Sequence, residues 1–154
     1  MLIESLENKI INLLTTATIT DVDTFVVQGI HDTLIDWDEY EEYPRIVVTC
    51  DGINPQTEQI GGACTREYIV NIFVLCYNED KTACLLERNT ILERIEETLR
   101  YNQRLDNLAD NNNNESVYGS KIETVKLSKF GMNEDYTAVA WIQFMVFTDR
   151  KTPR

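Results

Sequence analysis

The densest group of functional side chains in the sequence is Asp36, Trp37, Asp38, Glu39, Tyr40, Glu41, Glu42 and Tyr43, five acids and three aromatics in eight consecutive residues. Hard cations take several carboxylate oxygens, so calcium is one chemistry these acids could serve. The segment lacks the alternating Asp spacing and the sharp-turn glycine of a calcium loop, which argues against that use. Interfaces are enriched in Trp and Tyr. A second reading is therefore a docking loop for a basic partner, with Trp37 and Tyr40 as anchors and Asp36, Asp38, Glu41 and Glu42 as the charges. A third is a solvated acidic loop whose aromatics fold back onto the protein. The residues alone leave the choice open. Two acids could also be paired for glycoside-type chemistry, but with so many present no pair is singled out.

Other chemistry finds little support. A nucleophile needs a nearby base, and His31 is the only histidine, at the end of a strand-like run with no nucleophile elbow near it. The four cysteines, Cys50, Cys64, Cys76 and Cys84, form no Cys-x-x-Cys pair, so reduced thiols are expected, with Cys50 and Cys76 as small core residues. Gly61 and Gly62 lie between two strands rather than at a strand-to-helix turn, which makes a flexible bend a better reading than a phosphate cradle. The expectation is a protein that is not an enzyme, with no catalytic residue, cofactor or metal.

Composition narrows the partners. The chain has 154 residues, 43% of them hydrophobic, enough for one self-sufficient core. Lys and Arg number 14 and Asp and Glu 26, a net charge of −12. Nucleic-acid affinity comes largely from cations displacing counterions, so tight nucleic-acid binding is not expected. Met1 to Glu7 carries acids where a secretory leader carries Lys or Arg, and no apolar run reaches the ~18 residues of a membrane span. No membrane partner is expected.

The elements that must position these residues follow from periodicity. Ile3, Leu6, Ile10 and Leu13, widened by Leu2 and Leu14, predict an amphipathic helix over 2–16. Residues 24–31 and 45–50 read as strands. Residues 51–65 hold Asp-Gly, Asn-Pro and Gly-Gly turn signals and predict a long loop. Its Gln59 and Ile60 join the acidic segment as candidate partner-contacting residues. Residues 66–78 form the strongest strand, with Tyr68, Val70, Ile72, Val74 and Cys76 on one apolar face. A second helix is predicted over 80–101, an Asn-rich loop over 106–117, and a closing hairpin of strands 121–129 and 136–148. In that hairpin Ile122 is expected on one face, with Val125 and Leu127 on the other. The whole reads as one α+β domain over 1–150 with a polar tail at 151–154. Its order is α-β-β-β-α-β-β, with a mostly antiparallel sheet of about five strands and both helices on one face. Phe73, Leu75, Trp141, Met145 and Phe147 leave the other face partly apolar, a hint of a partner.

This order resembles the bacteriophage tail terminator, or tail completion, family that includes minor tail protein U. The likeness covers most of the chain: the helix 2–16, the strand Pro44 to Val48, the loop 51–65, the strand Arg66 to Val74, the helix ending Ile91 to Leu99, and the hairpin closing Val139 to Phe144. It is a likeness of order and texture. The acidic segment 36–43 and the Asn-rich insertion 106–117 depart from it. The resemblance implies a homo-oligomeric ring, usually a hexamer, that caps the tail tube, ends its polymerisation and meets neck or connector proteins. Genomic DNA would then pass an acidic lumen without specific binding. The location implied is the tail or neck region of the virion, after assembly in the host cytoplasm. A neck or head-completion protein of the same virion is the alternative, followed by a small-ligand-binding α+β domain.

Overall fold

Ile3–Thr16 forms the first helix, α1. Its fully buried line is Leu2, Leu6, Ile10 and Leu14, with Ile3, Ile11 and Leu13 partly buried beside it. These positions recur every four residues, so one stripe of the helix meets the core. The computed structural model describes residues 2–16, 26–28, 44–58, 63–110, 115–132 and 135–151.

The strands are β1 (Val26–Gln28), β2 (Arg45–Glu58), β3 (Ala63–Asn78), β4 (Glu115–Met132) and β5 (Asp135–Lys151), and the second helix, α2, is Lys81–Tyr101. The protein is α+β. Four long antiparallel strands run β2-β3-β5-β4, and β1 adds only a three-residue parallel pairing outside β2. Helix α2 starts at Asp80, whose carboxylate accepts from the Thr82 amide at 3.0 Å, a standard N-cap. It ends where Asn102 returns its amide to the Leu99 carbonyl at 3.2 Å. Glu96 and Arg100 pair across one turn at 3.6 Å.

Both helices pack on the same face of the sheet. Leu6, Ile10, Ile91, Ile95 and Leu99 share one core with Ile46, Val48, Tyr68, Val70, Ile72, Val74, Ala140, Ile142 and Phe144. The sheet residues in this core are all even-numbered on β2, β3 and β5, as period-two alternation and in-register pairing require.

Three features differ from the sequence expectation. Residues 51–58 and 63–65 extend β2 and β3 instead of forming a loop. The Asp51-Gly52 signal becomes a bulge, marked by the register shift between Cys50 and Gly52. Among the described residues Pro55 pairs only on the β3 side, opposite Arg66, so its missing amide suits the outer side of the strand, where β1 reaches only Arg45 to Val47. The second difference lies in β4. Ile122, Val125 and Leu127 stand opposite Phe144, Ile142 and Ala140, hence on one face, not two. A bulge between Ile122 and Thr124 supplies the extra residue that reconciles their odd spacing.

The third difference is in 106–117, read as a loop. Leu105, Asp106 and Asn107 form a 3-10 turn with φ of 48°, 55° and 55°, a left-handed run. Ala109 bridges Ser116, and β4 already begins at Glu115. A left-handed conformation costs about 1–2 kcal/mol at a residue such as Leu. Burying its side chain returns about 1.5–3 kcal/mol, and Leu105 is fully buried in the core. Lys9 adds a surface pair to Asp106. The core therefore holds this turn in shape.

Two substitutions probe that balance in urea denaturation. Leu105→Ala is expected to destabilise by about 2–5 kcal/mol. Asn107→Gly is expected to stabilise by up to about 1 kcal/mol, since glycine adopts positive φ without a Cβ penalty.

Candidate functional site

The face of the sheet opposite the helices holds the organised polar and aromatic groups. Cross-strand pairing builds it in rows. Val47, Phe73, Trp141 and Lys126 form one row, Thr49, Asn71, Gln143 and Thr124 the next, and Gly52, Ile69, Met145 and Lys121 a third.

Trp141 is the centre of the face. Its ring stacks on Phe73, with centroids 6.1 Å apart and planes 14° apart. The Lys126 ammonium sits 4.6 Å from the Trp141 ring centroid, within cation–π range. The indole Nε1 donates to Asn71 Oδ1 at 2.7 Å. Asn71 Nδ2 donates to Asp51 Oδ2 at 2.6 Å, and Thr49 Oγ1 donates to Asp51 Oδ1 at 2.9 Å. Indole can only donate and carboxylate only accept, so this chain fixes the Asn71 amide in one orientation. Trp141 is thereby held in place while remaining partly exposed. The result is aromatic area with few free torsions, flanked by the Lys126 ammonium and the Asp51 carboxylate.

Beside this row lies an open cleft of about 400 Å³, bordered by Asn54, Glu67, Lys121 and Glu123 over a floor of Ile69, Met145 and Phe147. Lys121 bonds Glu123 at 3.0 Å and lies 6.0 Å from the Phe147 ring centroid. Lys121 and Glu123 thus offset one another at the border of the cleft.

A second cluster is buried. Glu115 is 2% exposed. Its Oε1 accepts from Tyr68 Oη at 2.5 Å and from Thr148 Oγ1 at 2.9 Å, and Arg66 lies 3.9 Å from Oε2. Tyr68 Oη in turn accepts from the Leu2 amide at 3.4 Å. These bonds tie the start of β4, the middle of the sheet and the beginning of α1 into one point. Burial, then the bond to Glu115, pushes the Tyr68 phenol up from its ordinary 10.0 to about 12.

The thiols behave as packing groups. Cys76 and Cys84 are buried, Cys50 is partly buried, and none of the three is in a disulfide. Burial raises the pKa of each, that of Cys50 to about 11, so at neutral pH they are protonated and poor nucleophiles. Among the described residues no three His, Cys, Asp or Glu side chains gather to hold a metal ion, and no helix is long and apolar enough to cross a membrane.

The residues singled out in the sequence, Asp36, Trp37, Asp38, Tyr40, Glu41, Glu42, Gln59 and Ile60, lie outside the described residues, as do His31, Gly61 and Gly62. The sequence reading flagged Phe73, Leu75, Trp141, Met145 and Phe147 as surplus apolar residues; Phe73, Trp141 and Phe147 are partly exposed, whereas Leu75 and Met145 are buried. It missed Asn71, Asp51 and Lys126 as the groups that organise them. The available signal was Asn71, a polar residue interrupting the most apolar strand. It also missed Glu115, whose place in Asn114-Glu115-Ser116 drew attention only as a glycosylation look-alike. No protein-family model matches the sequence, and no curated protein matches it significantly.

Tyr68→Phe leaves the buried carboxylate one donor short, with an expected loss of about 1–3 kcal/mol at neutral pH. The raised phenol pKa favours the folded state below pH 10, and that contribution disappears as pH rises through about 12. The gap between wild type and Tyr68→Phe should therefore narrow over that range in denaturant titrations. An unchanged gap would show that the phenol proton is not coupled to folding. Glu115→Ala removes the acceptor shared by Tyr68 and Thr148 and is expected to cost about 3–5 kcal/mol.

Proposed function

We propose that this protein is a structural, non-enzymatic component of a bacteriophage virion that closes the tail tube as a ring. In this role it ends tube polymerisation and contributes to the head–tail joining surface. The observation that carries the reading is the sheet face opposite the helices, where Trp141, Phe73 and Phe147 are partly exposed and Trp141 is locked by hydrogen bonds. Apolar area held rigid in this way favours a protein partner, because little side-chain entropy is lost on association.

The order of elements supports the same reading. Counting the short β1, it runs α-β-β-β-α-β-β, with one 3-10 turn before the last hairpin. That order is the feature that carries the resemblance to the tail terminator family. A head-to-tail contact closes into a ring when its rotation divides a full turn. The net charge of −12 suits a lumen crossed by DNA, since like charges release no counterions and give no binding.

The test is to mix the purified protein with tail-tube protein and score tube ends by negative-stain microscopy, with native mass spectrometry of the protein alone. Expected are ring-sized oligomers and tubes that stop growing once capped. Trp141→Ser with Phe147→Ser should keep the circular dichroism spectrum of the wild type but reduce capping at least about tenfold, the loss expected for a central aromatic anchor. A protein that never decorates tube ends overturns the proposal.

A further inference from the structure

Among the described residues the outer edge of β4 is covered along only part of its length. At its beginning the Val117 amide donates to the Leu108 carbonyl at 2.8 Å, and the Asp110 amide donates to the Glu115 carbonyl at 3.0 Å. Ala109 bridges Ser116, and Ser120 Oγ donates to the Gln103 carbonyl at 2.6 Å. The chain leaving α2 thus caps the first third of the strand. Two bulges, between Val117 and Gly119 and between Ile122 and Thr124, interrupt the next few residues.

Beyond the second bulge the strand is regular. Residues 124–132 pair with β5 without a register shift, from Thr124 opposite Gln143 to Met132 opposite Asp135. Among the described residues nothing pairs with the other edge of this nine-residue stretch, and β4 is the last strand on its side of the sheet. Alternate amides and carbonyls there point away from the sheet. Leu127, on the helix-covered face, is 53% exposed.

Natural sheets blunt such edges with charged side chains, lysine especially. Over 124–132 β4 carries Lys126 and Lys129 and no acid, in a chain whose net charge is −12. Its lysines exclude a second β4 by like-charge repulsion, yet they attract the acidic surface that the rest of the same chain provides. We infer that the edge of β4 over residues 124–132 accepts an acidic, extended segment of a second copy of this chain, which adds to the sheet by main-chain hydrogen bonds. The incoming strand would set an acid beside Lys126 on the open face and an apolar residue beside Leu127 on the other. The two surfaces in contact differ, so the association is head-to-tail and can close on itself. The inference deepens the ring proposal and rests on it for the number of copies only.

Hydrogen exchange on the assembled and the dilute protein tests it, with native mass spectrometry giving the mass at each concentration. Alternate amides in 124–132 should exchange about tenfold more slowly or better in the assembly, as protection by new strand pairing requires. The double variant Lys126→Glu, Leu127→Glu should shift the mass to monomer, whereas Tyr101→Glu, on the exposed side of α2, should leave it unchanged. Raised salt should weaken assembly. An assembly in which 124–132 exchanges as fast as in the monomer overturns the edge inference and leaves the ring proposal standing. A protein monomeric at every concentration overturns both. If the double variant fails to fold, the exchange data on the wild type decide alone.

Discussion

The packing of α1 and α2 against a single side of the sheet commits the other side to a different environment. Tyr68, Ile72, Ile142 and Phe144 lie in the core beneath the helices. Each strand residue that points there sends its neighbour to the opposite face. Thus Phe73 and Trp141 reach the opposite face because Ile72 and Ile142 are buried. The helices pack on the other side, yet they decide which residues make up this face.

Polar groups then give each face its detail. On the open side, Asp51, Asn71 and Trp141 are matched donor to acceptor, which orients a large aromatic without burying it. On the covered side, Glu115 collects hydroxyls from Tyr68 and Thr148. A buried carboxylate without donors is expensive, whereas one with several is tolerated and specifies a single arrangement. Here it joins β3, β5 and the beginning of β4, and through Tyr68 it reaches the start of α1. The same residue lies beside the beginning of the β4 edge, where Leu108 and Asp110 pair with Val117 and Glu115.

Irregularities in the strands serve this plan. The bulge at Asp51 lets β2 continue past a turn signal and brings the Asp51 carboxylate to Asn71. The bulge after Ile122 returns Val125 and Leu127 to the helix side and leaves Lys126 over Trp141. A strand without that extra residue would send Val125 to the open face and Lys126 toward the core. The left-handed turn at Leu105 is comparable, since a conformation disfavoured locally is held by a side chain that packs well.

Sequence alone determined the class of the protein and most of its elements. The apolar stripe of Ile3, Leu6, Ile10 and Leu13, widened by Leu2 and Leu14, and the alternation from Tyr68 to Cys76 are local patterns, and local patterns can be read without knowing a partner strand. The excess of apolar residues on a second face was legible for the same reason. Only the tertiary structure decided that Asp51 is a bulge rather than a loop, that Ile122 and Val125 share a face, and that Asn71, Lys126 and Glu115 are organising groups. Each of these depends on which residue stands across the sheet, and cross-strand register is set by the whole core, far from the residues it places.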